Sequence, residues 1–357
     1  MMMDHAKAMA RPSLLSDAVA GTAPADPFDE TAPPSVRAPA VPAGDRWAVV
    51  LAGGNGRRLE RFVRQVLGAE GPKQFCRIIG TRSMLRHTWD RALRLVAPER
   101  IVTVITAGQE RYLAEEGRRG VPGTVFVQPE NKETAPGILL PLLWIARRSP
   151  GATVGVFPAD HFIWEEERFA DHMEAALGAA ERFADRLTLL GVESDGPETG
   201  YGWIGPGTSP DPDAPGELYA VQRFWEKPDR RAAARLYAWG YLWNTFIMAG
   251  RAAAVIALAD AALPHVMALL REAEGHVGTL AEQAALRDVY RRIPATNFSA
   301  ALLARYPEAS LVLAARGITW SDWGDPERVV RTLARFDRRP AWLPAYVRGR
   351  AQVAAGA

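Results

Sequence analysis

Residues 49–75, VVLAGGNGRRLERFVRQVLGAEGPKQF, restrict the chain more than any other stretch. The apolar run Val49-Val50-Leu51 reads as a buried strand. It turns through Ala52-Gly53-Gly54-Asn55-Gly56, shows Arg57 and Arg58, and closes with Pro72-Lys73-Gln74-Phe75. A strand that ends in closely spaced glycines lets backbone N–H groups approach an anion with no Cβ in the way. Two arginines and a lysine close behind can neutralise phosphate charge. The turn is not the dinucleotide fingerprint, because Leu59 stands where a third glycine is needed. It is not a P-loop, because no Gly-Lys-Ser/Thr follows. GGNG alone is equally compatible with an ordinary tight strand-to-helix turn. Arg58 and the Pro-Lys-Gln-Phe segment tip the reading to a nucleoside triphosphate cradle.

Beyond Phe75, strands and helices alternate at short spacing. Ser83 caps a helix to Val96, with Leu85, Trp89, Ala92 and Val96 on one stripe. Ile101–Thr106 is a β-branched strand, Gln109 to Arg118 a helix, and Thr124–Val127 a third strand. This order predicts a parallel α/β sheet with right-handed crossovers. In such sheets ligands bind beyond the carboxyl ends of the strands. Two segments stand there. Gln128–Pro136, QPENKETAP, places Thr134 as an N-cap and Pro136 in the first helical turn, leaving N–H groups free for a base edge or phosphate; on position alone it is equally a well-capped helix start. Asp160 follows the apolar strand Thr153–Phe157. A lone Asp there is usually a turn residue, but beside a glycine-rich loop it is where a divalent cation would bridge triphosphate oxygens. His161 is read as an orienting or packing residue.

Composition narrows the class further. The chain has 357 residues and a net charge of +2, so bulk electrostatics point to neither nucleic acid nor membrane. Its 48% hydrophobic content supplies a sizeable core. The single cysteine, Cys76, excludes an intramolecular disulfide and fits a reducing, cytoplasmic setting. No apolar run reaches the ~18 residues of a spanning helix. The most apolar stretch, LLPLLWIA at 139–146, is short and contains Pro141. Residues 1–45 lack both periodicity and the apolar core of a signal peptide, and are expected to be a disordered extension. A domain over 46–337 and a frayed tail over 338–357 complete the expected organisation, with no hexapeptide repeat or cupin-like segment read after it.

LAGGNGRRL followed by PKQF resembles the signature of sugar-1-phosphate nucleotidyltransferases, most closely their mannose-1-phosphate guanylyltransferase branch. QPENKETAPGI, FPADHF, GYGWI, FWEKP, LWNTFIM and WSDWGDP match in the same order, over roughly residues 46–336. The resemblance implies an α/β fold with a Rossmann-like, mostly parallel mixed sheet flanked by helices, of the nucleotide-diphospho-sugar transferase type. It implies an enzyme that joins an NTP to a sugar 1-phosphate with release of pyrophosphate, in that branch GTP and mannose 1-phosphate giving GDP-mannose. By the same resemblance Arg58 and Lys73 are catalytic, and Leu51, Ala52, Gly53, Gly54, Gly56, Gln128, Thr134, Ala135 and Pro136 hold the nucleotide. Gly202, Glu226, Lys227 and Asn244 take the sugar phosphate, and Asp160 and Asp322 bind Mg²⁺.

Three features depart from the family pattern. Lys132-Glu133 replaces the commoner Arg-Asn, Ser299 stands where an acid is usual, and extra residues around 66–71 lengthen the loop between Arg58 and Pro72. The readings that stay open are another NTP and sugar-1-phosphate pair (such as glucose 1-phosphate), a cytidylyltransferase acting on an alcohol phosphate, a regulatory subunit that binds a nucleotide-sugar without turnover, and a homo-oligomeric state.

Overall fold

The structure is a computed structural model and describes residues 45–68, 71–116, 120–211 and 216–348. The expected disordered extension lies outside these residues, apart from Asp45. In chain order the elements are β1 (Arg46–Leu51), α1 (Arg57–Phe62), α2 (Met84–Ala92), β2 (Ile101–Thr106), α3 (Glu110–Glu115), β3 (Thr124–Gln128), α4 (Thr134–Arg148), β4 (Thr153–Pro158), β5 (Phe162–Ile163), α5 (Glu166–Arg182), β6 (Leu187–Glu193), β7 (Gly202–Pro206), β8 (Leu218–Glu226), β9 (Leu242–Arg251), β10 (Ser310–Ala315) and β11 (Trp320–Ser321). Further helices span Arg230–Ala238, Ala252–Ala262, Pro264–Glu274, Glu282–Arg292 and Pro326–Arg335.

Nine strands form one sheet in the order β3-β2-β1-β4-β9-β6-β10-β8-β7. The first four run parallel, and β10 runs parallel to β6. β9 is antiparallel to both β4 and β6, and β8 to both β10 and β7, so β8 and β9 run against the other seven. β7 also pairs with the start of β9, and the far half of the sheet therefore curls back on itself. The mixed α/β sheet is the expected one. Its strand order reverses between β1 and β4: the chain leaves β1 for β2 and β3 on one side, then returns to β4 on the other. That is the switch point where such sheets open a crevice.

Both faces of the sheet are covered, which is why β2 and β4 are buried along their whole length. On one face α4 packs Ile138, Leu139, Leu142 and Ile145 against Val49, Val104 and Val154. The apolar stretch around Pro141 is thus an internal helix under the sheet. On the other face α2 and α5 bury Leu85, Trp89, Phe169, Met173 and Leu177. Ser83 caps α2 as expected, its hydroxyl accepting from Arg86 N at 3.0 Å. Among the described residues, no helix is long and apolar enough to cross a membrane.

A third cluster joins Leu59, Phe62, Val63, Cys76, Ile78, Trp164, Trp323 and Val329. It corrects two expectations. Residues 57–69 were expected to begin as a helix and become a loop; they do begin as α1, but instead of a loop α1 widens into a π turn over Val63–Leu67 and buries its apolar side. Residues 338–357 were expected to be a frayed tail; in the described part, to 348, Trp342 and Tyr346 each stand edge-on to Phe62 at 5.3 Å and Trp342 Nε1 donates to Ile78 O at 2.9 Å, while 349–357 lie outside the described residues. Cys76 is buried here, and burial pushes its thiol up to about 12, so it is an apolar filler.

β1 is pinned at its first residue. Arg46 is buried, with Nη1 2.6 Å from Glu174 Oε1 and Nε 2.7 Å from Glu181 Oε1, both on α5. The hydrogen bond from Arg46 holds the Glu181 carboxyl below its ordinary value of 4.5. A carboxylate lowered in the native state adds stability that is full above the unfolded value and is lost as pH falls through the native one. Arg46→Met is therefore expected to cost ~2 kcal/mol at neutral pH, less than a fully buried pair because the glutamates are partly in water. Urea unfolding should show that deficit, and show it narrowing as pH drops below 4.5.

Candidate active site

The segments that follow β1, β3 and β4, with Val104 of β2, surround a cavity of about 310 Å³. Leu51, Gly53 and Gly54 form one wall, Gln128, Asn131, Glu133, Thr134 and Gly137 another, and Asp160 and His161 the floor. The crevice at the switch point is thus lined by the glycine-rich turn and by both segments singled out in the sequence.

The glycine-rich turn is held by its carbonyls. Gln74 Nε2 donates to Ala52 O and, at 2.8 Å, to Gly54 O. Gln109 Nε2 donates to Gly54 O at 3.1 Å, Thr106 Oγ1 to Gly53 O at 2.9 Å, and Asn131 Nδ2 to Gly53 O at 3.3 Å. Among the described residues the N–H groups of Gly54, Asn55 and Gly56 meet no acceptor. Carbonyls held by side chains, beside N–H groups left without an acceptor, are an arrangement that can take an anion. Gly56 is required twice over: its φ is +62°, and a Cβ there would stand 2.8 Å from Lys73 N. Of the residues expected here, Gly53, Gly54 and Leu51 line the cavity. Ala52 is buried behind it, with its N–H on Val104 O at 2.8 Å. Arg58 is exposed on the first turn of α1 and is not among the residues that line the cavity.

The 128–136 segment differs from its expected form. Thr134 is not the N-cap; Glu133 is, in a left-handed conformation with φ 67°. The Thr134 hydroxyl accepts instead from Phe298 N at 2.8 Å, and Ala135 N donates to Thr296 O at 2.9 Å. The strap at 296–298 thus uses up groups that were expected to be free. Ala135 and Pro136 are buried off the cavity, and proline has no N–H to offer. Gln128 and Thr134 do reach the cavity. Ser299 is buried next to this strap, outside the cavity lining.

Lys73 and Asp322 are outside the cavity lining; Lys73, beside Asp160, is buried and satisfies its ammonium entirely within the protein. Nζ stands 3.0 Å from Asp160 Oδ2, donates to Trp323 O at 3.2 Å, and donates to Asp322 O. Asp322 Oδ1 accepts from Arg328 Nη1 at 2.7 Å, Gly324 N at 2.9 Å and Tyr201 OH at 3.1 Å. Burial would raise this carboxyl, but Arg328 and Lys73 outweigh burial and hold it below the usual range. Asp322 therefore stays ionised, and among the described residues no donor reaches its Oδ2. Burial lowers the neighbouring His161 to about 4, so its ring is neutral. Trp320 Nε1 donates to its Nδ1 at 3.2 Å, which leaves the proton on Nε2, turned to Asp160 Oδ1 at 3.7 Å. His161, expected as an orienting or packing residue, also stands edge-on to Trp320 at 5.2 Å.

The donor set on the floor fits Mg²⁺. The described residues contain no cluster of three acidic, His or Cys side chains that could cage an ion. Two hard carboxylate oxygens are what Mg²⁺ takes when phosphate oxygens and waters complete its shell.

The residues expected around the sugar meet where β7, β8 and β9 join. Gly202 pairs with both Glu226 and Asn244, and a Cβ on Gly202 would stand 3.2 Å from Asn244 Cβ and 3.3 Å from Glu226 Oε2. Lys227 Nζ lies 3.3 Å from Glu226 Oε1. Asn244 Oδ1 accepts from Phe246 N at 3.1 Å, so backbone satisfies its acceptor and leaves its Nδ2 for another group. Phe246 joins this cluster to the cavity, which it lines. Glu133, Lys227, Phe246 and Trp323 are non-glycine residues with positive φ, and each lies in this region. Strain of that kind is kept where the surroundings impose it, as in ligand sites.

Sequence reading named the glycines but missed what holds them. Gln74 was visible only as part of Pro-Lys-Gln-Phe, and Thr106, Gln109, Asn131 and Arg328 carry no local signature. Gly56→Ala is expected to weaken binding of inorganic triphosphate at least about tenfold, since it strains φ and presses on Lys73 N. Calorimetry against wild type, with circular dichroism to confirm folding, checks this.

Comparison with known proteins agrees with the motif resemblance. The Nucleotidyl transferase family matches residues 47–335. The mannose-1-phosphate guanylyltransferase of Escherichia coli is 36% identical over 210 residues, 57% of this chain and 42% of that protein. The xanthan biosynthesis protein XanB of Xanthomonas campestris pv. campestris (strain B100) is 35% identical over 214 residues, 58% of this chain and 42% of that protein. The chain thus matches about two fifths of the length of these curated relatives. A solved structure titled mannose-1-phosphate geranyltransferase, from Thermus thermophilus, superposes with a TM-score of 0.67 at 28% identity, covering 80% of this chain and 79% of that one. With the family match running from β1 through the helix Pro326–Arg335, the chain belongs to the Nucleotidyl transferase family.

Proposed function

We propose that this chain transfers a nucleotidyl group from an NTP to a sugar 1-phosphate, releasing pyrophosphate, and that the pair is GTP and mannose 1-phosphate. The carbonyl-tethered loop supports the nucleotide half of this reading, because Gly53 and Gly54 line the cavity and the N–H groups of Gly54, Asn55 and Gly56 meet no acceptor among the described residues. The name of the Escherichia coli relative, mannose-1-phosphate guanylyltransferase, supports the choice of base and sugar. We take the catalytic domain as residues 46–337, acting in the cytoplasm.

In the reaction an oxygen of the sugar phosphate attacks the α-phosphorus. The bond from that phosphorus to the oxygen bridging it to the β-phosphorus breaks, and pyrophosphate leaves with the electron pair. The attacking oxygen is already anionic, so no general base is needed. The protein's task is to bring two polyanions into line and stabilise the charge. The N–H groups of Gly54 and Gly56, with Arg58, hold the outer phosphates. Lys73 stands between Asp160 and Asp322, next to the phosphates that react. Asp160 and Asp322 would hold Mg²⁺, which supplies charge neutralisation of the triphosphate. Glu226 accepts from sugar hydroxyls and the free Nδ2 of Asn244 donates to them, while Lys227 meets the sugar phosphate.

Arg58 is exposed, so Arg58→Ala is expected to leave the melting temperature unchanged while lowering kcat ~10²-fold, the scale of losing one transition-state donor. Lys73→Met should lower kcat at least as far. Pyrophosphate release with Mg²⁺, measured across five NTPs and several sugar 1-phosphates, checks both variants and the substrate pair. A maximum at GTP with mannose 1-phosphate is expected. A maximum at another pair, such as one with glucose 1-phosphate, would change the substrate and keep the chemistry. Binding of a nucleotide-sugar with no turnover at any pair would overturn the enzyme reading in favour of a regulatory subunit.

A further inference from the structure

A buried phenol outside the cavity fixes which side of an amide the cavity sees. Tyr290, on the helix Glu282–Arg292, has no exposed surface, and its hydroxyl donates to Gln128 Oε1 at 2.9 Å. Burial raises the phenol above its ordinary value, so it stays protonated. Among the described residues Gln128 Oε1 is the one acceptor this hydroxyl reaches. Were the amide turned over, Nε2 would face the phenol oxygen and the phenolic proton would be left buried with no acceptor. The amide is also confined between two glycines. A Cβ on Gly53 would stand 3.0 Å from Gln128 Nε2, and one on Gly137 3.5 Å from Nε2 and 3.6 Å from Oε1. With Oε1 committed to Tyr290, Nε2 meets no acceptor among the described residues and lies at the cavity wall.

We propose that Tyr290 is a positioning residue that sets nucleobase selectivity: by holding Oε1 it makes Gln128 solely a donor to the cavity, which favours bases with a carbonyl at the facing edge over bases with an amino group there. Guanine O6 and uracil or thymine O4 are such acceptors, whereas adenine N6 and cytosine N4 carry hydrogens. An amino group facing Nε2 would set donor against donor, and selectivity of this kind comes from penalising the wrong partner. This inference rests on the nucleotide reading of the cavity. Tyr290 lies 162 positions from Gln128 in the sequence, and nothing local marks it.

The test is kcat/KM with mannose 1-phosphate for GTP, UTP, ATP and CTP, on wild type, Tyr290→Phe and Gln128→Glu. Wild type is expected to prefer the carbonyl bases. Tyr290→Phe frees the amide to turn, and the ratio of carbonyl to amino bases should fall about tenfold or more, in KM rather than in kcat. Gln128→Glu presents acceptors alone and should move the preference toward amino bases, which tests the idea even if Tyr290→Phe fails to fold. A folded Tyr290→Phe with the wild-type ratio would overturn the inference, as would Gln128→Glu with that ratio. Wild type that uses all four NTPs alike would overturn it and leave the nucleotide reading standing. Wild type that uses none, with any sugar 1-phosphate, would overturn both.

Discussion

The site depends on how three carbonyl groups are restrained. The oxygens of Ala52, Gly53 and Gly54 accept from Gln74, Gln109, Thr106 and Asn131, which come from the segment after α1, from the end of β2 and the turn after it, and from the turn after β3. A peptide unit has its C=O and N–H on opposite sides, so fixing the oxygens behind the loop fixes where the following N–H groups point. The glycines allow the path, and the amide and hydroxyl donors choose it. Because those donors sit on neighbouring strand ends, the cradle is as rigid as the parallel half of the sheet, and β1 at its centre is anchored to α5 through Arg46.

The floor beneath the loop follows a similar logic with charge. Lys73 is carried into the interior by the turn that Gly56 packs against, and it is tolerated there because Asp160 and the carbonyls of Asp322 and Trp323 satisfy all its donors. Arg328 does the same for Asp322, spreading across Glu198, Asp322 and Asp325 and stacking over Tyr201. Asp322 is held ionised by Arg328 and Lys73, two cations that belong to the fold.

Much of this was legible in the sequence wherever the signal was local. β-branched runs, the Ser83 cap and the strand–helix alternation predict the parallel half of the sheet, and the end of β4 predicts where Asp160 lies. The interpretation failed where long-range contacts decide. Thr134 looks like an N-cap, but Phe298 N, far along the chain, takes its hydroxyl and Glu133 becomes the cap instead. The later part of residues 57–69 looks like a loop, but Trp342 and Tyr346 pack on Phe62 and help make a buried face of the helix instead. Tyr290 and Arg328 shape the site through single contacts with no sequence pattern, so only the folded chain reveals them.

Amide NMR of Gly54, Asn55 and Gly56 during titration with GTP and Mg²⁺ tests the central claim most directly. If the loop is an anion cradle, these three N–H resonances shift far downfield and saturate together, ahead of the rest of the backbone. Saturable GTP binding that leaves all three unmoved would show that the triphosphate lies elsewhere and would contradict the account.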